Sequence, residues 1–160
     1  MSSKDKNLSE FSGKLPTLPN AKIGIVVSEW NEAVTGALLS GALKVLAEAG
    51  IPESNIKTIQ VPGSFELILG SQKLAQIEDI DAVISIGCVI QGETRHFDFI
   101  CQAVATGISD VNLKFDKPVI FGVLTTDNQQ QALDRAGGKH GNKGEEAAYT
   151  ALRMVEGVII

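Results

Sequence analysis

The chain contains no run of lysines and arginines. Its 14 basic residues stand against 19 acidic ones, for a formal net charge of -5. The electrostatic footprint of a nucleic-acid partner is therefore missing. Cysteine is scarce. Cys88 and Cys101 are the only two. They make no Cys-x-x-Cys and fall in apolar patterns, so buried, reduced thiols in a reducing compartment are expected. Histidine is equally scarce, with only His96 and His140. No His/Cys/Asp cluster has metal-ligand spacing, so no metal is expected. No apolar run approaches the ~20 residues of a membrane span. The opening residues, Met-Ser-Ser-Lys-Asp-Lys-Asn, hold no apolar signal core. A cytoplasmic protein with no membrane partner is expected. Familiar nucleotide and hydrolase motifs are missing too. Gly87 to Gly92 has the spacing of a P-loop start, but Glu93 stands where lysine is required. Neither G-x-G-x-x-G nor G-x-S-x-G occurs. Nucleoside triphosphatase, Rossmann dehydrogenase and serine hydrolase readings all weaken.

What remains is ordinary globular material. At 160 residues, 44% hydrophobic and 21% charged, the chain suits one compact domain with a substantial core. Residues 1–20 are polar and hold Pro16 and Pro19. They read as an extended arm that pairs with a neighbouring subunit or stays disordered, with the domain at 21–160. From Lys22 onward, strand and helix signals alternate. Ile23 to Val27, Ile56 to Val61, Ala82 to Val89 and Val119 to Leu124 are short apolar or β-branched runs. Between them lie helical stripes. One is Val34, Leu38, Ala42, Val45 and Ala49 behind a capping Asn31 and ahead of a terminating Gly50. A second helix is capped by Ser64 and runs to about Gln76. A third carries Phe97, Ile100, Cys101, Val104, Ala105, Ile108 and Val111. A short helix is expected near Gln129 to Ala136, then a Gly/Lys loop from Gly137 to Gly144. A last helix buries Ala147, Ala148, Ala151, Leu152 and Val155.

Nearly continuous apolar strands between amphipathic helices predict a parallel sheet covered on both faces. The expected fold is α/β: a three-layer α/β/α sandwich of flavodoxin-like type, with a central four-stranded parallel sheet plus the N-terminal arm or strand. Ligands on such sheets bind beyond the carboxyl ends of the strands. That rule gathers residues 28–31, 62–66, 90–94 and 125–127 at one edge.

The stretch at 85–99 is the richest in chemistry. A buried strand runs through a polar loop into a helix whose first turn is expected to carry Thr94, Arg95 and His96. Free backbone N–H groups and a positive helix end suit an anion there. His96 adds the side chain best matched to proton transfer near neutral pH. Together they suggest an enzyme acting on a phosphorylated small molecule. His140 reads as a solvated loop residue. For Trp30, the only tryptophan, core packing and stacking on a planar heterocycle are both open. Glu66 would be favourable at a helix start without any ligand. Arg135 follows Asp134 and could be solvated or ion-paired, yet arginine also suits bidentate phosphate contact.

Five blocks then combine. They are Gly24–Val27 with Trp30-Asn31, Val61–Glu66, Gly87–Asp98, Phe121–Thr126, and Asp134–Gly137 with Gly141–Gly144. In this order, over roughly residues 22–156, they closely resemble the 6,7-dimethyl-8-ribityllumazine synthase family. The resemblance implies a transferase of riboflavin biosynthesis that needs no cofactor. It would condense 5-amino-6-(D-ribitylamino)uracil with 3,4-dihydroxy-2-butanone 4-phosphate, releasing phosphate and water. It implies that Trp30 stacks on the uracil ring, and that Ser64, Phe65 and Glu66 contact the pyrimidine and ribityl groups. Cys88, Val89 and Ile90 would line the same pocket, and Phe121 would reach it from an adjacent subunit. Glu93, through its backbone N–H, and Thr94 would hold the butanone phosphate together with the neighbour's Arg135. His96 would donate and accept protons, and Lys143 matches a lysine near that site. The resemblance further implies a homopentamer with the Phe97 to Val111 helix lining its axis. The compact Gly137–Gly144 loop resembles that of members assembling pentamers into icosahedral capsids, in association with riboflavin synthase. The alternatives are a riboflavin- or lumazine-binding module without turnover, and a receiver-like signalling domain. The latter needs clustered acidic residues at strand ends, and none lies near Gly24 to Val27.

Overall fold

The computed structural model describes residues 15–158. Residues 1–14 of the expected arm lie outside the described residues. Six strands and five helices follow in chain order: β1 (Ile23–Ser28), α1 (Glu32–Glu48), β2 (Ile56–Val61), α2 (Leu67–Ala75), β3 (Ala82–Ile90), α3 (His96–Phe115), β4 (Val119–Thr126), α4 (Gln129–Leu133), β5 (Ala136–Gly138), β6 (Gly141–Asn142) and α5 (Lys143–Val158). The main sheet has the order β2-β1-β3-β4, and all three of its pairings are parallel. This is the expected flavodoxin-like three-layer sandwich.

Alternation along the strands divides the core in two. Ile23, Ile25 and Val27 of β1, with Ile84, Ile86 and Cys88 of β3, meet Leu38, Ala42, Ala148 and Leu152 on the α1/α5 face. Val26 and Val83 point the other way, to Leu67, Leu74, Val104 and Ile108 on the α2/α3 face. Each fully buried Ile or Leu among them contributes about 1.5–3 kcal/mol. One polar pair sits inside this second layer: the hydroxyls of Ser71 and Ser85 bond at 2.6 Å and satisfy each other across the α2–β3 contact. Leu15 and Leu18 pack against the first layer, and the Leu18 N–H donates to Ala49 O at 3.0 Å. The described end of the arm thus lies on its own domain.

The layer between α1 and α5 is unusually close. A Cβ on Gly144 would stand 1.8 Å from Leu38 O. Asn142 secures the approach from both sides. Its Oδ1 accepts from the N–H groups of Gly144 at 2.8 Å and Glu145 at 3.3 Å, capping α5. Its Nδ2 donates to Ala37 O of α1 at 3.0 Å.

Several expectations are corrected. The expected Gly/Lys loop forms an antiparallel hairpin, β5–β6, and α4 stops at Leu133. Helix α3 begins at His96, so Thr94 and Arg95 precede its first turn. Thr94 Oγ1 accepts from the His96 N–H at 3.4 Å, a local turn that competes with helix. Neither Asn31 nor Ser64 caps a helix through its side chain. Asn31 points elsewhere, and α2 starts only at Leu67, after Glu66. On α3, Val104, Ile108 and Val111 are buried as expected. Phe97, Ile100 and Cys101 are only half-buried, and Ala105 is exposed.

Candidate active site

The carboxyl ends of β1, β2 and β3 open onto one pocket of about 550 Å³. The β1–α1 junction contributes Trp30 and Asn31, and the β2–α2 turn contributes Gly63, Ser64, Phe65 and Glu66. Strand β3 contributes Cys88, Val89 and Ile90, and α3 closes the pocket with His96 and Ile100. These two helix residues are four apart, so they share one face. Trp30 is 74% exposed and Phe65 51% exposed. Core packing is thereby excluded for Trp30. Two large aromatic faces stand free at the rim, a wall suited to a planar heterocycle. Gly87 lets Ser64 approach β3 closely, since a Cβ there would come within 2.7 Å of Leu67 Cδ1 and 2.9 Å of Ser64 Oγ. Glu93 and Thr94 lie exposed in the segment that enters α3, beside His96.

A second concavity, of about 580 Å³, runs along the edge strand β4. Phe121, Arg135 and Lys143 line this one. Within one chain they are therefore not gathered with Trp30 and His96. The carboxylate next to Arg135 is already engaged: Asp134 pairs with Lys139 at 2.9 Å. Hydrogen bonds from Lys139 and then Gln130 hold the Asp134 carboxyl below the usual carboxylate range. Arg135 keeps one donor on Gln131 O at 3.0 Å, and among the described residues it has no ion pair. Lys143 differs, because its ammonium is held by Glu146 at 2.7 Å with both side chains largely buried. Loop residue His140 places its backbone N–H on Asp134 O at 2.8 Å. Among the described residues no group of three His, Cys, Asp or Glu side chains could hold a metal ion, and no helix is long and apolar enough to cross a membrane.

This geometry fits the family suggested by the motifs. The family model described as 6,7-dimethyl-8-ribityllumazine synthase matches residues 20–158. The chain belongs to the 6,7-dimethyl-8-ribityllumazine synthase family. It is thereby an enzyme of riboflavin biosynthesis. A 6,7-dimethyl-8-ribityllumazine synthase of Cytophaga hutchinsonii is 66% identical over 155 residues, spanning 97% of this chain and 98% of the relative. Those of Flavobacterium johnsoniae and Parabacteroides distasonis are 54% and 51% identical, over 96% and 94% of this chain and 82% and 94% of their own lengths. The reading as a binding module without turnover finds no support among these lumazine synthases.

Asn31 and Gly63 fall in the segments that topology gathered, and Ile100 is the pocket residue that the sequence reading placed only in the apolar stripe of its helix. It was discoverable, since i,i+4 spacing from His96 puts it on the same face. The Asn31 side-chain bond to Cys88 O was not, because that partner is distant in sequence.

Cys88 brings a testable property to this pocket. Burial pushes its thiol up to about 11. The Cys101 thiol is also raised, by burial first and the Asp98 charge second. A raised value means less thiolate near neutral pH. Cys88 is expected to alkylate with iodoacetamide about 100-fold more slowly in the native protein than in the unfolded chain. Mass mapping over a time course checks this. Equal rates would show that the thiol is not shielded.

Proposed function

We propose that the chain condenses 5-amino-6-(D-ribitylamino)uracil with 3,4-dihydroxy-2-butanone 4-phosphate in the Trp30 pocket, without a cofactor. The observation that carries this reading is the convergence of Trp30, Phe65 and His96 on one cavity at the strand ends. Trp30 stacks on the uracil. Ser64, Phe65 and Glu66 hold the pyrimidine and the ribityl chain, and Cys88, Val89 and Ile90 form the inner wall. The phosphate sits on the N–H groups around Glu93 and Thr94, where the α3 dipole favours an anion. The substrate amine attacks the ketone, a first water leaves as the imine forms, phosphate is eliminated, and the ribitylamino nitrogen closes the ring on the remaining carbonyl with loss of a second water. None of these steps changes the overall redox state, so no redox cofactor is needed. Holding two substrates in register supplies much of the rate. His96 moves protons between steps.

Phe121 and Arg135 complete the site from a neighbouring copy. Their placement in a different concavity from Trp30 supports this reading. Arg135 supplies the charge-assisted contact to phosphate, and Lys143 stands next to it in the same groove. The assembly is a homopentamer built around α3. The short β5–β6 hairpin supports its further assembly into an icosahedral capsid associated with riboflavin synthase. Residues 21–160 act as the catalytic domain, in the cytoplasm.

Mixing the protein with both substrates is expected to produce lumazine absorbance well above the uncatalysed rate. Background-level product would refute the reading. His96→Ala is expected to slow turnover by about 100-fold without abolishing it. Turnover equal to wild type would remove the proton-transfer role. Light scattering separates pentamer from capsid.

A further inference from the structure

Asn31 gives up two things that a residue at its position ordinarily keeps. Asparagine is among the best helix N-caps, and α1 starts at the next residue, yet the side chain makes no capping bond. Its backbone is left-handed, with φ 64° and ψ 43°, an unfavourable conformation for a non-glycine residue even though asparagine tolerates it best. The other such residue among those described, Asp116, ends a helix, where that conformation is common. At a helix start it needs a separate reason.

The reason lies across the pocket. Asn31 Nδ2 donates to Cys88 O at 3.0 Å. Ser64 Oγ reaches the same oxygen at 3.5 Å. One carbonyl at the end of β3 therefore collects side chains from the β1–α1 and β2–α2 junctions. The backbone is tied from the other side, because the Trp30 N–H donates to Pro62 O at 3.1 Å and the Glu29 N–H to Val61 O at 2.8 Å. Trp30 stands between these two anchors. Its own ring is mostly exposed and has little packing to hold it, so its direction is set through its backbone.

We propose that Asn31 is a positioning residue for the pyrimidine end of the site: its left-handed backbone and its amide bond to Cys88 O together aim the Trp30 indole over the pocket. This rests on the reading of that pocket as the uracil site. It concerns the approach of the planar substrate and leaves the phosphate end untouched.

Three variants separate the contributions. Asn31→Gly keeps the left-handed backbone and deletes the amide. Asn31→Asp keeps the volume but turns a donor into an acceptor facing a carbonyl. Asn31→Ala loses both features, and its stability is the control for folding. Asn31→Gly and Asn31→Asp are expected to raise KM for the ribitylaminouracil about threefold to tenfold. KM for the butanone phosphate should stay within about twofold. The fluorescence anisotropy of Trp30, the sole tryptophan, should fall in Asn31→Gly while Tm stays near the wild-type value. Wild-type anisotropy and uracil KM in Asn31→Gly would overturn the proposal, as would equal rises in both KM values. Trp30→Ala tests the underlying reading separately. If it leaves the uracil KM unchanged, the pocket assignment fails, and the anisotropy of Asn31→Gly still decides whether Asn31 holds the loop.

Discussion

Alanine at position 144 is expected to destabilise the fold by more than about 3 kcal/mol. The added methyl carbon would meet Leu38 O at 1.8 Å, Leu38 C at 2.6 Å and Leu38 Cα at 2.8 Å. All three are backbone atoms, so no rotamer change can make room, and α5 must lift from α1. That movement opens the layer holding Leu38, Ala42, Ala148 and Leu152. It also strips the Asn142 bonds that hold the start of α5 against Ala37. Urea unfolding of Gly144→Ala beside wild type measures the loss. Gly36→Ala is the matched control, since nothing lies within 4 Å of a Cβ there. It is expected to be neutral or to stabilise by up to about 1 kcal/mol, as alanine does over glycine inside a helix. Equal behaviour of the two variants would mean that α1 and α5 are not in the close contact described.

Arg135→Ala should have the largest effect on catalysis. Its kcat/KM for the butanone phosphate is expected to drop about 10²- to 10³-fold, the usual loss when a charge-stabilising donor is deleted. KM for the uracil should move by less than about threefold. Equal losses for both substrates would contradict a phosphate role. The proposed sharing of the site between two copies adds a second arm. Co-expressed Arg135→Ala and Trp30→Ala chains should recover activity, because some interfaces then join an intact Trp30 pocket to an intact Arg135. Activity no greater than the sum of the two variants would show that both residues serve one chain's own site. Asp134 makes the first variant clean, since its carboxylate is held by Lys139 rather than by Arg135.

The strands were legible because their burial is two-sided. Residues such as Ile23 to Val27 and Ala82 to Val89 must be apolar on both faces, and few other structures write that pattern. The pocket was legible by topology once the strands were placed, since Cys88 to Ile90 end a strand and Trp30, Ser64 to Glu66 and His96 follow carboxyl ends. What failed was local preference meeting a distant partner. Asn31 reads as a cap, yet its amide serves an oxygen 57 residues away. Gly137 and Gly141 read as loop, yet their positive φ values, 111° and 73°, shape a hairpin. Thr94 reads as first-turn helix, but its own hydroxyl takes the His96 N–H. For Phe121, Arg135 and Lys143, single-chain physics gave no link to Trp30, and only the family motifs joined them. The Lys143–Glu146 pair was available at i,i+3 spacing.

The contact between α1 and α5 also orders the events of synthesis. Lys44 and Glu145, which pair at 3.0 Å across it, are 101 residues apart. Chains are made from the amino end and begin folding as they emerge. By the time β4 has left the ribosome, the α2/α3 side can close, while the apolar stripe on which Ala148, Ala151 and Leu152 will settle is still bare. Helix α5, the last described helix to be made, covers it. A chain cut short before Lys143 would carry that bare apolar stripe, the kind of surface by which chaperones and proteases recognise unfinished products. The same helix brings Lys143 into the groove that Arg135 lines, so no truncated chain could complete that groove without also hiding its stripe.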